Sequence, residues 1–384
     1  MAVIAPRPAL GLAYFTYFGV LGIFVPYLGL FLDGRGLNSQ DIGLMMAIVT
    51  ATRIVGPSVW AWRADRSGRP LQIMRTGAIL ACLGWLCSFV DQGFWLLLAG
   101  LALFTFCWTA ILPQLEVSAF HFLDDNTQAY SRIRTSGSVG YILLVLLGGW
   151  LSEHYGSNFL PGAALAFLLL LLGSLFLLPD FSLRNTADEP RPAFKYFLKQ
   201  SLFWRFMGAT FLLQMSFAPF YVFFTLYCRD LGYSGTQTGL LIGLAVLAEI
   251  VAFYFAGSIL KNRSYRLLLS CCYGLTAIRW LMVAELGGSG WWLACSMLFH
   301  AASFAIAHSC AMQFVQGYFP RALRSRGQAL YAGVIFGGGG AVGAYVAGVV
   351  WQDGAGATTA FELAATMAFA AMLLALTLPA RVSR

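Results

Sequence analysis

Seven ionisable side chains stand well inside long apolar stretches of this 384-residue sequence: Glu116, Glu249, Arg53, Arg134, Arg279, His300 and His308. A charge at the centre of a membrane-crossing helix costs roughly 2.5–3.5 kcal/mol on insertion scales, so each such residue is expected to have a partner and a task. A desolvated carboxylate near an arginine is pulled between its neutral and charged forms, and switching between them moves a proton. Three arginines against two carboxylates leave one positive charge for an anionic solute.

Other chemistries lack their residues. There is no nucleophile and no metal constellation, so an enzyme is not expected. Two lone histidines without His or Cys companions at ligand spacing do not make a metal site. The eight cysteines (82, 87, 107, 228, 271, 272, 295 and 310) fall almost wholly inside apolar runs without a C-x-x-C, as small packing residues do. A G-x-x-x-x-G-K phosphate loop is also missing, which argues against an ATP-driven pump, and no cofactor is expected.

The elements that must position these charges follow from composition. Of the chain, 59% is apolar and 10% charged, where a soluble domain carries roughly 25% charged residues. Apolar runs near 20 residues, enough to cross about 30 Å of hydrocarbon as helix, recur along the whole length. Lipid cannot satisfy an open strand edge, and the alternating segments of a barrel are absent. Twelve spans are expected at 9–32, 42–62, 71–90, 93–120, 131–152, 159–178, 203–228, 238–260, 266–286, 291–318, 328–351 and 357–379. The first is too long for a cleaved signal and lacks a clear cleavage site. The longest polar stretch lies near 180–202. It divides the chain into an N-terminal six-helix bundle at 1–180, a cytoplasmic linker at 181–202 and a C-terminal six-helix bundle at 203–384.

Charge sorting gives the orientation. Of the 24 basic residues, 19 fall on one side of the spans, only Arg35 and Arg229 on the other, and three inside. The crowded side is cytoplasmic, and both termini with it. The net charge of +8 thus reflects topology and not a nucleic-acid partner.

With the spans in place, depth can be compared across hairpins. Glu116 and Arg134 are equidistant from residue 125, Glu249 and Arg279 from 264, and Arg279 and His300 from a point near 289–290. Glu249, Arg279 and His300 therefore belong at one depth, roughly 16 Å from the cytoplasmic loop at 1.5 Å per residue, close to the midplane. Arg53 falls near the same level. Each group can be read as a functional site or as ion pairs that fix helix packing. His308 is either part of a proton path or a hydrogen-bonded packing histidine.

An internal repeat appears at an offset of 196. It lays Gly36, Gly43 and Leu44 on Gly232, Gly239 and Leu240, Arg53 on Glu249, and Gly137 on Gly333. Two parallel six-span halves around a central site are a transporter architecture.

The loop Ala61-Trp-Arg-Ala-Asp65-Arg66-Ser-Gly68-Arg69 resembles the G-x-L-A-D-R-x-G-R-[RK] signature of the major facilitator superfamily, at the place where that family carries it. The resemblance implies an all-α membrane fold of two pseudo-symmetric six-helix bundles, with Asp65, Arg66, Gly68 and Arg69 as a conformational latch. The second copy, at Gly257, is degenerate and has no aspartate. Pro113-Gln-Leu-Glu116 followed by Tyr130 and Arg134 looks like the lactose permease pattern, which implies that Glu116 and Arg134 bind substrate. Arg279 and His300 likewise resemble an arginine and histidine of that permease. The carboxylate expected three residues after the histidine is Ser303 here, which leaves Glu249 or His300 itself to carry a proton.

The chain is more similar still to the phenylpropionate permease family, through Tyr14, Phe15, Tyr17 and Phe18, Gly36-Leu37, Arg53, Ala248-Glu249, Arg279-Trp280 and the His300, Phe304, His308 series. What this implies is a proton-coupled symporter of a small organic solute in a bacterial-type inner membrane, working as a monomer on its substrate and protons. An aromatic carboxylate such as 3-phenylpropionate leads. A nucleoside or oligosaccharide symporter, or a drug or metabolite exporter of the same fold, is the alternative. Substrate contacts are expected from Glu116, Arg134, Arg53, Tyr14 and Tyr17, and proton coupling from Glu249, Arg279, His300 and His308. The aromatic residues can stack on a ring, or serve as packing.

Overall fold

The computed structural model describes residues 6–91, 93–124, 126–182 and 194–380. Residues 183–193 of the expected linker lie outside these, as do Arg184, Arg191, Arg381 and Arg384 of the cytoplasmic charge tally and both chain ends.

Among the described residues twelve long helices follow in order. They are α1 (Pro6–Gly34), α2 (Ser39–Ser67), α3 (Pro70–Phe89), α4 (Phe94–Phe122), α5 (Thr127–Tyr155) and α6 (Phe159–Phe176). After the linker come α7 (Ser201–Asp230), α8 (Gly235–Leu260), α9 (Tyr265–Leu286), α10 (Gly290–Tyr318), α11 (Arg324–Gly354) and α12 (Ala357–Ala375). Eleven continuous stretches are long and apolar enough to cross a membrane, and the 49-residue stretch Gln128–Phe176 holds both α5 and α6. No strand occurs among the described residues.

The sequence repeat is also a repeat of helix ends. Gly36 and Gly232, 196 residues apart, both take positive φ (78° and 84°). Each closes the preceding helix with a bond from the next residue's N–H back to a carbonyl five residues earlier, Leu37 to Leu32 and Tyr233 to Cys228. Glycine fits this left-handed C-cap because it has no Cβ to clash. The next helices open alike. Asn38 Oδ1 accepts from Asp41 N at 2.9 Å, and Ser234 Oγ accepts from Gln237 N at 3.2 Å while Gln237 Oε1 accepts from Ser234 N at 2.8 Å. Both side chains satisfy N–H groups that a helix start leaves open. Trp95 and Trp291, also 196 apart, begin α4 and α10 and are 76% and 74% exposed, as interface anchors would be.

The chain groups into two compact units. The first takes α1, α2 from Ile48 onward, α3 to α6, and Ser234–Gly239 at the start of α8. The second takes Asn38–Ala47 at the start of α2, α7, the rest of α8, and α9 to α12. Inside each unit the first helix packs on the fifth and sixth, and the third on the fourth and sixth. Close approach depends on small residues. A Cβ on Gly22 of α1 would meet the Tyr141 carbonyl of α5 at 2.5 Å. Tyr27 on the same helix donates to the Val145 carbonyl at 2.6 Å.

Four helices break near the midpoint. Pro113 cannot donate to the Thr109 carbonyl, and α4 is interrupted at Thr109–Ala110. Pro219 acts the same way after Phe217 in α7. In α10 and α11 the interruptions are wide π-helical turns at Ala301–Ile306 and Ala332–Gly339. Such turns cluster at functional sites.

Candidate functional site

In the first unit, the helix restart after Thr109–Ala110 carries Glu116, and the Asn126 N-cap starts α5 so that Tyr130 and Arg134 follow one turn apart on one face. Tyr130 donates a short hydrogen bond to Glu116 Oε2, and Arg134 Nε lies 3.7 Å from Glu116 Oε1. The Arg134 guanidinium sits over the Phe18 ring at 3.9 Å and near Tyr14 at 5.6 Å. Tyr14 is fully buried, and its hydroxyl faces Glu116 and Tyr130 without completing a hydrogen bond. Tyr17, one turn on, stacks on Trp108 at 4.4 Å and 16°. Glu116 and Arg134 keep 28% and 33% of their side chains exposed, so a solute can reach them.

Arg53 differs from its companions. It is exposed on α2, within electrostatic reach of Tyr17, and has no hydrogen bond or ion pair among the described residues. It is the charge that the sequence tally left over.

In the second unit Glu249 of α8, Arg279 of α9 and His300 of α10 form one chain of contacts. Arg279 Nη1 lies 2.9 Å from His300 Nδ1, and His300 Nε2 lies 3.3 Å from Glu249 Oε2. A guanidinium can only donate, so His300 Nδ1 must accept and its hydrogen must sit on Nε2, directed at Glu249. A neutral imidazole thus bridges a cation and an anion. Arg279 is fully buried, with its charge against the faces of Trp280 at 4.3 Å and Phe220 at 4.6 Å. These rings stabilise a cation where water cannot. The wide turn in α10 offsets the drift of about 40° that i, i+4 spacing accumulates in an α-helix. His300, Phe304 and His308 accordingly stack in a column, each step 5.7 Å.

The signature loop is placed as its turn residue requires. Gly68 ends α2 with φ +63°. Arg66 lies over Trp62 at 5.4 Å, and the Arg69 backbone N–H donates to Ser67 Oγ. Asp65 is exposed, with no hydrogen bond or ion pair among the described residues. No group of three or more His, Cys, Asp or Glu side chains able to hold a metal occurs among the described residues.

Sequence reasoning did not assign Tyr130 to the site, although its i, i+4 spacing from Arg134 was there to be read. Trp108, which stacks on Tyr17, carried no such signal, since only the fold brings α4 against α1.

Two repeated helical units with paired charges held inside membrane-length helices define a multi-pass membrane transporter. The chain belongs to the MFS_1 like family, whose model matches residues 9–363, and it is therefore a transporter of the major facilitator type. It is 28% identical over 353 residues to a probable 3-phenylpropionic acid transporter of Escherichia coli (strain K12), covering 89% of this chain and 90% of that one. To the maltose permease of Geobacillus stearothermophilus it is 27% identical over 364 residues, covering 91% and 90%. A solved structure of a mutant nucleoside transporter NupG superposes with a TM-score of 0.85 at 14% identity, covering 96% of this chain and 99% of that one.

Proposed function

We propose that this transporter is a proton-coupled symporter of a small organic anion, with an aromatic carboxylate such as 3-phenylpropionate as the leading substrate. The observation that carries the reading is Arg53. Each other charge deep in the helices has a partner, Glu116 with Arg134 and Glu249 with Arg279 through His300, whereas Arg53 is exposed, within electrostatic reach of Tyr17, without a hydrogen bond or ion pair among the described residues. A carboxylate would offset its charge. The name of the Escherichia coli relative points the same way. Tyr14 and Tyr17, expected from the sequence as substrate contacts, are buried, with the Tyr17 ring covered by Trp108, so neither presents a ring face to solute in this state.

Glu249 is the proposed proton carrier. With Nδ1 of His300 committed as acceptor to Arg279, a second proton on that ring would point at a cation, so the proton goes to Glu249. His308 continues the same ring column and would extend the path. Asp65, Arg66, Gly68 and Arg69 are proposed as the latch of one conformation. Both termini are proposed to lie in the cytoplasm, with six-helix halves at 1–180 and 203–384.

A second reading, uptake of a neutral sugar or nucleoside, is favoured by Glu116 and Arg134. Together they are neutral, and they offer an acceptor and a donor to hydroxyl groups. Uptake of labelled aromatic acids, nucleosides and disaccharides into energised membrane vesicles separates the two. Accumulation of an aromatic acid that stops with a protonophore and with Arg53→Gln supports the first. Accumulation of a disaccharide or nucleoside alone rejects it, and proton-driven extrusion would mark an exporter.

A further inference from the structure

Apart from the Glu249 chain, the second unit holds a cavity between α7, α9, α10 and α11 whose usable room is about 20 Å³. One water needs at least roughly 10–15 Å³ of such room and two to four polar partners, so the space suits a single water and no organic ring. Two polar groups of the lining residues have no hydrogen bond among the described residues. They are the hydroxyl of Tyr273, which is 0% exposed, and Nδ1 of His308. A buried polar atom left unpaired is costly, so both call for a partner. Two further lining groups can only accept. Thr210 donates its hydroxyl proton to the Phe206 carbonyl and Ser303 its own to the Phe299 carbonyl, each at 2.9 Å, which leaves lone pairs on both oxygens. Phe304 and Phe336, one from each π-helical run, stand among the apolar walls.

We infer that this cavity binds one water, which bridges the Tyr273 hydroxyl and His308 Nδ1 and keeps His308 hydrogen-bonded whether or not its ring carries a second proton. The donor and acceptor count fits a water in both states. Beside a neutral ring with its hydrogen on Nε2, the water accepts from the Tyr273 hydroxyl and donates to Nδ1 and to Thr210 or Ser303. Beside a protonated ring it turns, accepting from Nδ1–H and from Tyr273 and donating to Thr210 and Ser303. The ring column cannot supply such a partner, because Phe304, which separates the two imidazoles, neither donates nor accepts. The charged and titratable groups that face His308 from the elements packed against it are Glu249 of α8, Tyr273 of α9 and Tyr331 of α11, while α7 presents the neutral Thr210 and Gln214. The inference deepens the proton path proposed through His308. It rests on that reading for its role in transport, but not for the water itself.

The test is magic-angle-spinning NMR of the full-length protein in lipid bilayers, with nitrogen-15 in its histidines, reading the magnetisation passed from water to each imidazole nitrogen. Of the four histidines, His300 is the internal control, since its Nδ1 is taken by Arg279. The signal of His308 is assigned by its loss in His308→Gln. Nδ1 of His308 is expected to receive magnetisation from water, on both sides of its titration, and Nδ1 of His300 to receive none. Tyr273→Phe, which removes a single unpartnered oxygen, is expected to lose most of the transfer to His308. The inference is overturned by absent transfer to His308, by transfer confined to one protonation state, or by transfer that Tyr273→Phe leaves unchanged. Equal transfer to His300 and His308 overturns it too, since that marks general hydration and not one site. Should Tyr273→Phe not fold, the wild-type contrast between the two histidines still decides. If uptake proves insensitive to a protonophore, the proton path fails, and the water stands or falls on the NMR comparison alone.

Discussion

At the scale of single residues, the two charge clusters differ in what a substitution should do. Glu116 keeps the Tyr130 hydrogen bond when Arg134 is lost, and both charges are about a third exposed. Exposed pairs contribute little, typically about 0–1 kcal/mol, so the Glu116→Gln, Arg134→Gln double variant is expected to fold with a Tm near wild type. It should nonetheless fail to bind or transport substrate. A double variant with wild-type uptake would reduce the pair to a packing device. Glu249→Gln retains an acceptor for His300 Nε2 but cannot gain or lose a proton. It is expected to exchange labelled substrate across the membrane while failing to concentrate it against a gradient. Continued pH-dependent accumulation in that variant would move proton coupling to another residue.

Elements fix where those residues sit, and they do so through their irregularities. The break before Pro113 sets the direction of the helix bearing Glu116, and the π-helical turn after His300 aligns the ring column. Contacts between helices rest on missing side chains. A Cβ on Gly22 would press on the Tyr141 backbone, which cannot yield as a side chain can, whereas a Cβ on Gly257 meets nothing within 4 Å. Gly22→Leu is therefore expected to destabilise the protein by about 1–3 kcal/mol, the usual cost of overpacking. Thermal unfolding in detergent measures it, with Gly257→Leu as the control expected to stay within about 0.5 kcal/mol of wild type. Equal effects of the two substitutions would refute the packing argument.

For the whole molecule, the matters to test are orientation and the signature loop. With the basic loops in the cytoplasm, cysteine placed at Ser67 should react with an impermeant thiol reagent only from the inner side, and at Ser289 only from the outer side. The reversed pattern would invert the topology. Asp65 is exposed at the end of α2 and makes no hydrogen bond or ion pair among the described residues. The proposed latch role therefore requires that it bond in another conformation. Asp65→Asn is expected to lower the transport rate without lowering the Tm or the amount inserted in the membrane. An unchanged rate would leave the loop as a charged turn.

The sequence alone determined the class of molecule, because membrane physics acts on composition and length. Apolar runs of membrane length must be helices, the skewed arginines give them an expected orientation, and the 196-residue offset survives as matching caps at Gly36 and Gly232 and at Asn38 and Ser234. Hairpin arithmetic also reached Glu116 with Arg134 and Glu249 with Arg279 and His300, since antiparallel neighbours joined by short loops must share depth. Tertiary structure alone decided what depends on rotation about a helix axis and on contacts between helices remote in sequence. Depth does not say which way a side chain faces, so nothing in the spacing revealed that Arg53 is left without a partner, or that Tyr130 shares Glu116. Nor could it place Tyr17 on Trp108, or Tyr273 and His308 in one cavity. Those depend on breaks and π-helical turns that change the phase of a helix by a fraction of a turn, a shift to which hydropathy is blind.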